Sequence, residues 1–129
     1  MPIDYRRALG RYGEKLAVEH LRARGFELLV RNYRTRRGEI DLIAFDGRTL
    51  IFVEVKTRQL GRSQPPASVS PLAYLSAGQL ARYRPVAEAW LHDDRYAPPA
   101  AEKMRFDAIG VLLDAKGAVV DLRHVEGGE

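Results

Sequence analysis

The feature that most constrains the fold of this chain is a pair of apolar segments separated by a short turn. The segments are Glu39–Phe45 and Thr49–Thr57, and Asp46-Gly47-Arg48 lies between them. An Asp-Gly pair between two apolar runs is typical of a β-hairpin. Because Leu50–Val53 is apolar at consecutive positions, both faces of the second strand are expected to be covered. The sequence therefore predicts a hairpin at the centre of a layered sheet.

The rest of the chain alternates helical and extended patterns. Gly25 marks the end of a first helix, and Pro85 is expected to kink or split a second one. The predicted elements are a helix over 4–24, strands over 26–30, 39–45 and 49–57, a helix over 72–91, and strands over 104–113 and 118–125. The order α-β-β-β-α-β-β, with no repeat or linker, predicts one α/β domain over residues 1–129.

Basic charge is concentrated in the first third of the chain. Residues 1–37 hold ten Lys/Arg against four Asp/Glu, whereas residues 38–129 hold eleven against thirteen. The basic part ends in a predicted loop over 31–38, whose cationic side chains are Arg31, Arg34, Arg36 and Arg37. A localised basic surface favours a polyanion, most simply a nucleic-acid backbone. On charge alone, a solvated basic face without a partner is an equal alternative.

Several classes of protein are disfavoured by composition. The chain has no cysteine, so it has no disulfide framework and no thiolate zinc site. No apolar run approaches the roughly 20 residues that a membrane span needs. The first residues lack the apolar segment of a secretory signal. These absences predict a cytoplasmic protein without membrane contact, although a small periplasmic protein whose leader had been removed would share them.

Three polar residues stand at the ends of the predicted central strands: Asp41, Glu54 and Lys56. Side chains alternate between the faces of a strand, so Glu54 and Lys56 share one face. A two-residue turn would place Asp41 diagonal to Glu54 and a four-residue turn would place it directly opposite, within roughly 5 to 8 Å in either case. A three-residue turn would put the two carboxylates on opposite faces. The predicted site therefore depends on the length of the turn.

Two buried carboxylates side by side require a cation. Lys56 could supply it in a purely structural ion cluster. Alternatively, a hard divalent ion, Mg²⁺ or Mn²⁺, could bind to Asp41, Glu54 and the carbonyl of Val55, leaving Lys56 to orient or deprotonate a water molecule. Helical spacing places Glu14 beside the apolar stripe of the first helix, so it is the acid expected to point inward.

At these residues the chain resembles the PD-(D/E)xK nuclease superfamily, and more closely the YraN-type family of predicted endonucleases in its Holliday-junction-resolvase-like branch. The similarity extends along most of the chain, through the segments 10–17, 31–34, 38–44, 52–58 and 105–107. The resemblance implies a restriction-endonuclease-like αβββαβ core with a mixed central sheet flanked by helices. It also implies Asp41 and Glu54 as metal ligands, Lys56 as the catalytic lysine and Glu14 as a further site acid.

The expected activity is metal-dependent hydrolysis of DNA phosphodiester bonds, with branched or structured DNA as a candidate substrate. By analogy with resolvases that cut two strands, a homodimer is a candidate assembly. One rival is a catalytically silent nuclease-fold module that binds nucleic acid or a protein partner. Another is a protein-interaction domain in which the three polar residues form an internal ion cluster. The roles of Glu39 and Asp107 stay open at this point.

Overall fold

The secondary structure follows the predicted order. The computed structural model describes residues 3–70 and 83–127. The elements are helix α1 (Ile3–Ala23), strands β1 (Glu27–Thr35), β2 (Gly38–Phe45) and β3 (Thr49–Gln59), a 3₁₀ turn (Pro66–Ser68), helix α2 (Arg84–Leu91), and strands β4 (Lys103–Leu113) and β5 (Val119–Val125). Within these ranges, the predicted α-β-β-β-α-β-β order is confirmed.

The five strands of the described residues form one mixed sheet in the order β1-β2-β3-β4-β5. Strands β3 and β4 are parallel, and the other neighbours are antiparallel. A parallel pair needs a crossover connection, and the chain between β3 and β4 contains α2. The predicted fold class, an αβββαβ core around a mixed sheet flanked by helices, is confirmed.

The central strand β3 is covered on both faces, as its unbroken apolar run predicts. Leu50 and Phe52 belong to the core beneath α2, whereas Ile51 and Val53 belong to the core beneath α1. All four side chains are at most 2% exposed. Burying an aliphatic or aromatic side chain of this size contributes about 1.5 to 3 kcal/mol, so β3 is the strand that anchors the sheet. Within the described ranges, no helix is long and apolar enough to cross a membrane.

The predicted loop over 31–38 is wrong. Strand β1 continues to Thr35 and pairs with β2, with Arg31 opposite Leu42 and Arg34 opposite Glu39. The physical reason is Tyr33, which is 6% exposed in the core beneath α2 and fixes this segment against the sheet. Among the predicted loop arginines, only Arg36 and Arg37 lie in a turn.

The second predicted helix is described only in its last part. Helix α2 begins at Arg84 with Pro85 in its first turn. Backbone N–H groups in the first turn of a helix have no intrahelical acceptor, so proline, which lacks this N–H, is tolerated there. The predicted kink or split at Pro85 stays a prediction, because it depends on the segment before Tyr83. The earlier part of the predicted helix, residues 72–82, lies outside the described residues. Trp90 of α2 is 1% exposed and packs in the core beneath this helix.

Helix α1 approaches β3 closely at Gly13. A Cβ atom added there would lie 2.9 Å from Cβ of Thr57 and still nearer its hydroxyl. We therefore expect Gly13→Ala to lower the free energy of unfolding by about 1 to 3 kcal/mol, as overpacking does. Urea unfolding monitored by circular dichroism measures the change.

Gly10 on the same helix provides the matched control. A Cβ atom at Gly10 would meet nothing within 4 Å. Gly10→Ala should therefore raise stability by about 0.5 to 1 kcal/mol through helix propensity alone. Equal stability changes at the two glycines would contradict the close packing of α1 on β3.

Candidate functional site

The β2–β3 hairpin has the four-residue turn, one of the lengths considered above. Phe45 pairs with Leu50, which leaves Asp46–Thr49 as the loop. The Asp46 carboxylate accepts hydrogen bonds from the backbone N–H groups of Arg48 at 2.9 Å and Thr49 at 2.7 Å. These bonds lower the pKa of Asp46 below its ordinary value. The turn is therefore closed by its own aspartate, a common role of Asp in turns.

Strands β2 and β3 part immediately before the predicted site. Their pairing begins at the turn and ends at Leu42 and Val53. In the gap beyond this pair, Oδ2 of Asp41 accepts the backbone N–H of Val55 at 2.7 Å. The Asp41 carboxylate thus takes the place of a backbone carbonyl of β2. The Val55 N–H therefore keeps a hydrogen-bond acceptor where the two strands diverge.

The regular alternation of side chains breaks at Asp41. Ile40 and Ile43 both belong to the core beneath α2, whereas Leu42 belongs to the core beneath α1. Strand β1 has a matching irregularity at Asn32, whose φ of +52° is in the left-handed region. Asn tolerates this conformation better than most residues. The break turns Asp41 toward α1, so the expectation that alternation places Asp41 and Glu54 on one face is wrong.

Asp41 lines a cleft of about 330 Å³ beside α1. Glu14 projects into the same cleft from α1, as its helical position predicts, and Val55 lines it from β3. Nδ2 of Asn32 donates to Oε1 of Glu14 at 3.3 Å. Asn32 therefore lies on the same side of the sheet as the Asp41 and Glu14 carboxylates. The irregularity in β1 thus places the hydrogen-bond donor that contacts Glu14.

The cleft raises the pKa of Asp41 to about 7, chiefly because burial disfavours the ionised form. The negative charges of Glu14, Glu39 and Glu54 raise it further, while the Val55 N–H lowers it in part. Burial likewise raises the pKa of Glu14. Because the neighbouring acids make this site negative, it favours binding of a proton or of another cation near neutral pH.

Glu54 and Lys56 form an ion pair, with Nζ of Lys56 2.9 Å from Oε1 of Glu54. The Glu54 side chain is 15% exposed and that of Lys56 is 51% exposed. Glu54 lines a small cavity on the α2 side together with Glu39, and the hydroxyl of Tyr83 lies 3.5 Å from Oε1 of Glu54. This pair is the contact expected if Lys56 supplies the counter-charge.

The four acids do not converge on one point. In residues 3–70 and 83–127, no group of three or more His, Asp or Glu side chains is placed to hold a metal ion. Asp41 and Glu14 line one cleft and Glu54 and Glu39 line a separate small cavity, although the charges of Glu39 and Glu54 still act on Asp41. Their donor chemistry, oxygen atoms alone, nevertheless fits a hard ion such as Mg²⁺ or Mn²⁺.

The four predicted nucleic-acid-binding arginines fall into two pairs. Arg31 and Arg34 on β1 lie close enough to Glu14 to lower its pKa through their charge. Arg36 and Arg37 line a separate surface groove next to α2. The structure therefore brings only the first pair near the carboxylate cleft.

Sequence reasoning missed two cationic residues of the cleft. Arg6 on α1 and Arg58 on β3 both line it. A signal for Arg6 was present, because residues 6, 10 and 14 recur at the spacing that follows one helix face. No comparable signal marks Arg58, since strand alternation groups it with Lys56.

Asp107 is held by structural contacts. It is fully buried, and Arg105 donates to both of its oxygens at 2.8 and 3.0 Å. His124 lies 2.7 Å from Asp107 and 3.1 Å from His20, so two histidines distant in sequence are neighbours. Burial would raise the pKa of Asp107, but the hydrogen bonds from His124 and Arg105 hold it below the ordinary value. These contacts indicate a structural role for Asp107, whose role the sequence leaves open.

Comparison with known proteins identifies relatives along most of the chain. Residues 13–111 match the model of Uncharacterised protein family UPF0102. A UPF0102 protein of Streptomyces griseus is 44% identical over 126 residues, covering 97% of this chain and 98% of that protein. A UPF0102 protein of Chlorobium limicola is 46% identical over 109 residues, covering 84% of this chain and 78% of that protein.

Proposed function

The chain belongs to the UPF0102 family, and we propose that it is a metal-dependent endonuclease that hydrolyses DNA phosphodiester bonds. The observation that carries this proposal is the Asp41 carboxyl group, whose pKa is raised to about 7 in a cleft beside the parted strands. Perturbed carboxyl groups in clefts are frequent at catalytic sites. Membership in the PD-(D/E)xK superfamily, and a place in the cytoplasm, belong to the same proposal.

Each polar residue has a distinct role in this proposal. Asp41 and Glu54, with the Val55 carbonyl, would hold Mg²⁺ or Mn²⁺, and Glu14 would complete the acidic wall of the cleft. The bound ion would supply charge stabilisation for the pentavalent transition state at phosphorus. Lys56 would orient or deprotonate the attacking water molecule. Glu54 pairs with Lys56 at 2.9 Å and lines the small cavity on the α2 side, so its side chain would have to leave this pair and turn toward Asp41 to share the ion.

The cationic residues at the cleft support a polyanionic substrate. Arg6 and Arg58 line it, and Arg31 and Arg34 act electrostatically on Glu14 within it. Without these charges, an acidic cleft would repel DNA. Cations around a carboxylate centre allow the phosphate backbone to approach while the acids retain a metal ion.

A cleavage assay tests the proposal directly. The intact chain is incubated with Mg²⁺ or Mn²⁺ and labelled linear, single-stranded, flap and four-way DNA. We expect cleavage of at least one form, loss of cleavage with a chelator, and no cleavage by Asp41→Asn. Metal-independent cleavage, or equal cleavage by Asp41→Asn, would contradict the assignment, as would the absence of cleavage on every form.

Binding can be separated from cleavage by two matched arginine variants. Each removes two positive charges: Arg31→Ala/Arg34→Ala near the cleft and Arg36→Ala/Arg37→Ala at the distant turn. We expect the first to lower DNA affinity and reduce the salt slope by roughly one unit per lost phosphate contact. The Arg36→Ala/Arg37→Ala variant should change the DNA affinity and the salt slope less. Fluorescence anisotropy in a salt series measures them, and equal effects would place DNA elsewhere.

One observation favours the silent-module alternative, namely the Glu54–Lys56 ion pair. It satisfies both charges without a metal ion. In that case the chain would bind DNA with the same arginine dependence but would cleave no form, and Mg²⁺ would leave its stability unchanged. The two functions therefore differ in their metal response and not in their DNA affinity.

A further inference from the structure

Strand β5 forms an edge of the sheet and pairs with β4 on one side. No strand of the described ranges pairs with its other side. Val119, Val120 and Val125 on this strand are 37 to 43% exposed. An edge strand presents unpaired backbone N–H and C=O groups, which favour pairing with a further strand.

The sequence of β5 is self-complementary about Leu122. When the strand is set antiparallel to a copy of itself with Leu122 at the two-fold axis, Asp121 lies opposite Arg123 and Val119 lies opposite Val125. Directly opposite residues are close enough for opposite charges and apolar side chains to attract each other. Such reciprocal pairing is the signature of an isologous interface.

We propose that β5 is a homodimerisation strand, which pairs with β5 of a second copy and continues the sheet across both molecules. The observed side chains are placed for this. Nε of Arg123 lies 2.9 Å from Oδ2 of Asp121 within the strand, so both point to the same face. Their side chains are 55% and 36% exposed and remain accessible to a partner.

The charges also select one register. The smallest shift that keeps the same residues on each face is two positions. Moving the axis from Leu122 to Asp121 places the two aspartates opposite each other, and moving it to Arg123 places the two arginines opposite each other. Like charges directly opposite are destabilising, so the register centred on Leu122 is the one in which both charges are paired.

The centre of the strand carries this pairing. Leu112 of β4 pairs with Asp121 and Leu113 pairs with Val119, so the register of the β4–β5 pair shifts between these two positions. Val119 and Val120 therefore lie at the end of β5 where its pairing with β4 is irregular. The segment Asp121–Arg123 lies beyond this irregularity. The cleft at Asp41 is lined by residues of α1, β2 and β3, and no residue of β5 lines it. The dimer therefore goes beyond the proposed endonuclease activity and does not depend on it.

Charge reversal with mixing tests the proposal. Arg123→Asp leaves two acids on the strand, and Asp121→Arg leaves two arginines. Sedimentation equilibrium should show the wild type dimerising, and each variant alone dimerising at least about tenfold more weakly, because two attractive pairs become repulsive. An equimolar mixture of the variants should recover dimers, since acids then face arginines across the axis.

The mixture excludes an effect on the folded monomer. Neither variant has the Asp121–Arg123 pair within its own strand, so recovery can arise only between chains. Arg22→Asp, an exposed charge reversal on α1, should dimerise like the wild type. A wild type that stays monomeric up to millimolar concentration would overturn the proposal. So would single variants that dimerise as tightly as the wild type, or a mixture that stays as weak as its components.

Discussion

Asp41→Asn is expected to stabilise the folded protein at pH 8 while abolishing metal-dependent DNA cleavage. The asparagine oxygen can still accept the Val55 N–H, which Asp41 accepts at 2.7 Å, so the shape of the site is kept. The negative charge that burial opposes is removed. A substitution that raises stability and removes activity is typical of a site under electrostatic strain.

The pH dependence gives the sign and size of this effect. Burial raises the pKa of Asp41 from 3.8 in the unfolded chain to about 7 in the folded protein. Between these values the unfolded chain releases a proton that the folded protein keeps, so the contribution of Asp41 to stability falls as pH rises and is constant above the folded pKa. Since one pKa unit corresponds to about 1.4 kcal/mol, the total is about 4 kcal/mol.

Urea unfolding of the wild type and Asp41→Asn at pH 5 and pH 8, without divalent metal, measures the difference. The stability gain should be larger at pH 8 than at pH 5. The exposed Asp94→Asn makes the same charge change outside the cleft and should alter stability by no more than about 0.5 kcal/mol at either pH. A destabilised Asp41→Asn at pH 8 would mean that the ionised carboxylate is an internal ion-cluster partner.

Lys56→Ala is expected to lower cleavage by about 10²- to 10⁴-fold, the usual contribution of a general acid–base group. Stability without metal should change little. The Lys56 side chain is 51% exposed, so solvent screens its 2.9 Å contact with Glu54. Exposed ion pairs contribute about 0 to 1 kcal/mol. Stabilisation by Mg²⁺ should persist, because the carboxylates remain.

Lys116→Ala, in the exposed β4–β5 turn, is the control for losing one positive charge. It should cleave and unfold like the wild type. An internal ion cluster predicts the reverse result for Lys56→Ala, a loss of several kcal/mol because Glu54 would keep a partly buried charge without a partner. Unfolding curves together with a cleavage assay distinguish the two.

The fold could be predicted from the sequence because its strongest signals are local. The run Leu50–Val53 predicted a strand covered on both faces, and Asp46-Gly47 located its turn while leaving the turn length open. The end of β1 was missed because one buried side chain, Tyr33, outweighs the exposed arginines around it. A basic composition indicates exposure but does not exclude a strand at the edge of a sheet.

The candidate site could be predicted in its members but not in its geometry. Alternation correctly places Glu54 and Lys56 together, and helical spacing correctly directs Glu14 inward. The face of Asp41 was missed because it depends on the left-handed conformation of Asn32 and on the end of β2–β3 pairing. Both arise from contacts between strands, which periodicity within one strand does not contain.

The most direct test of the metal site is the melting temperature of the wild type and Asp41→Asn at pH 8 during a Mg²⁺ titration. A site at Asp41 predicts a rise for the wild type that grows with concentration, equivalent to about 2.7 kcal/mol when Mg²⁺ is a hundredfold above its dissociation constant. Asp41→Asn and Glu54→Gln should show no rise. If millimolar Mg²⁺ and Mn²⁺ leave the wild type unchanged and both amide variants melt lower than it does, the acids and Lys56 form an internal ion cluster, and the endonuclease proposal is wrong.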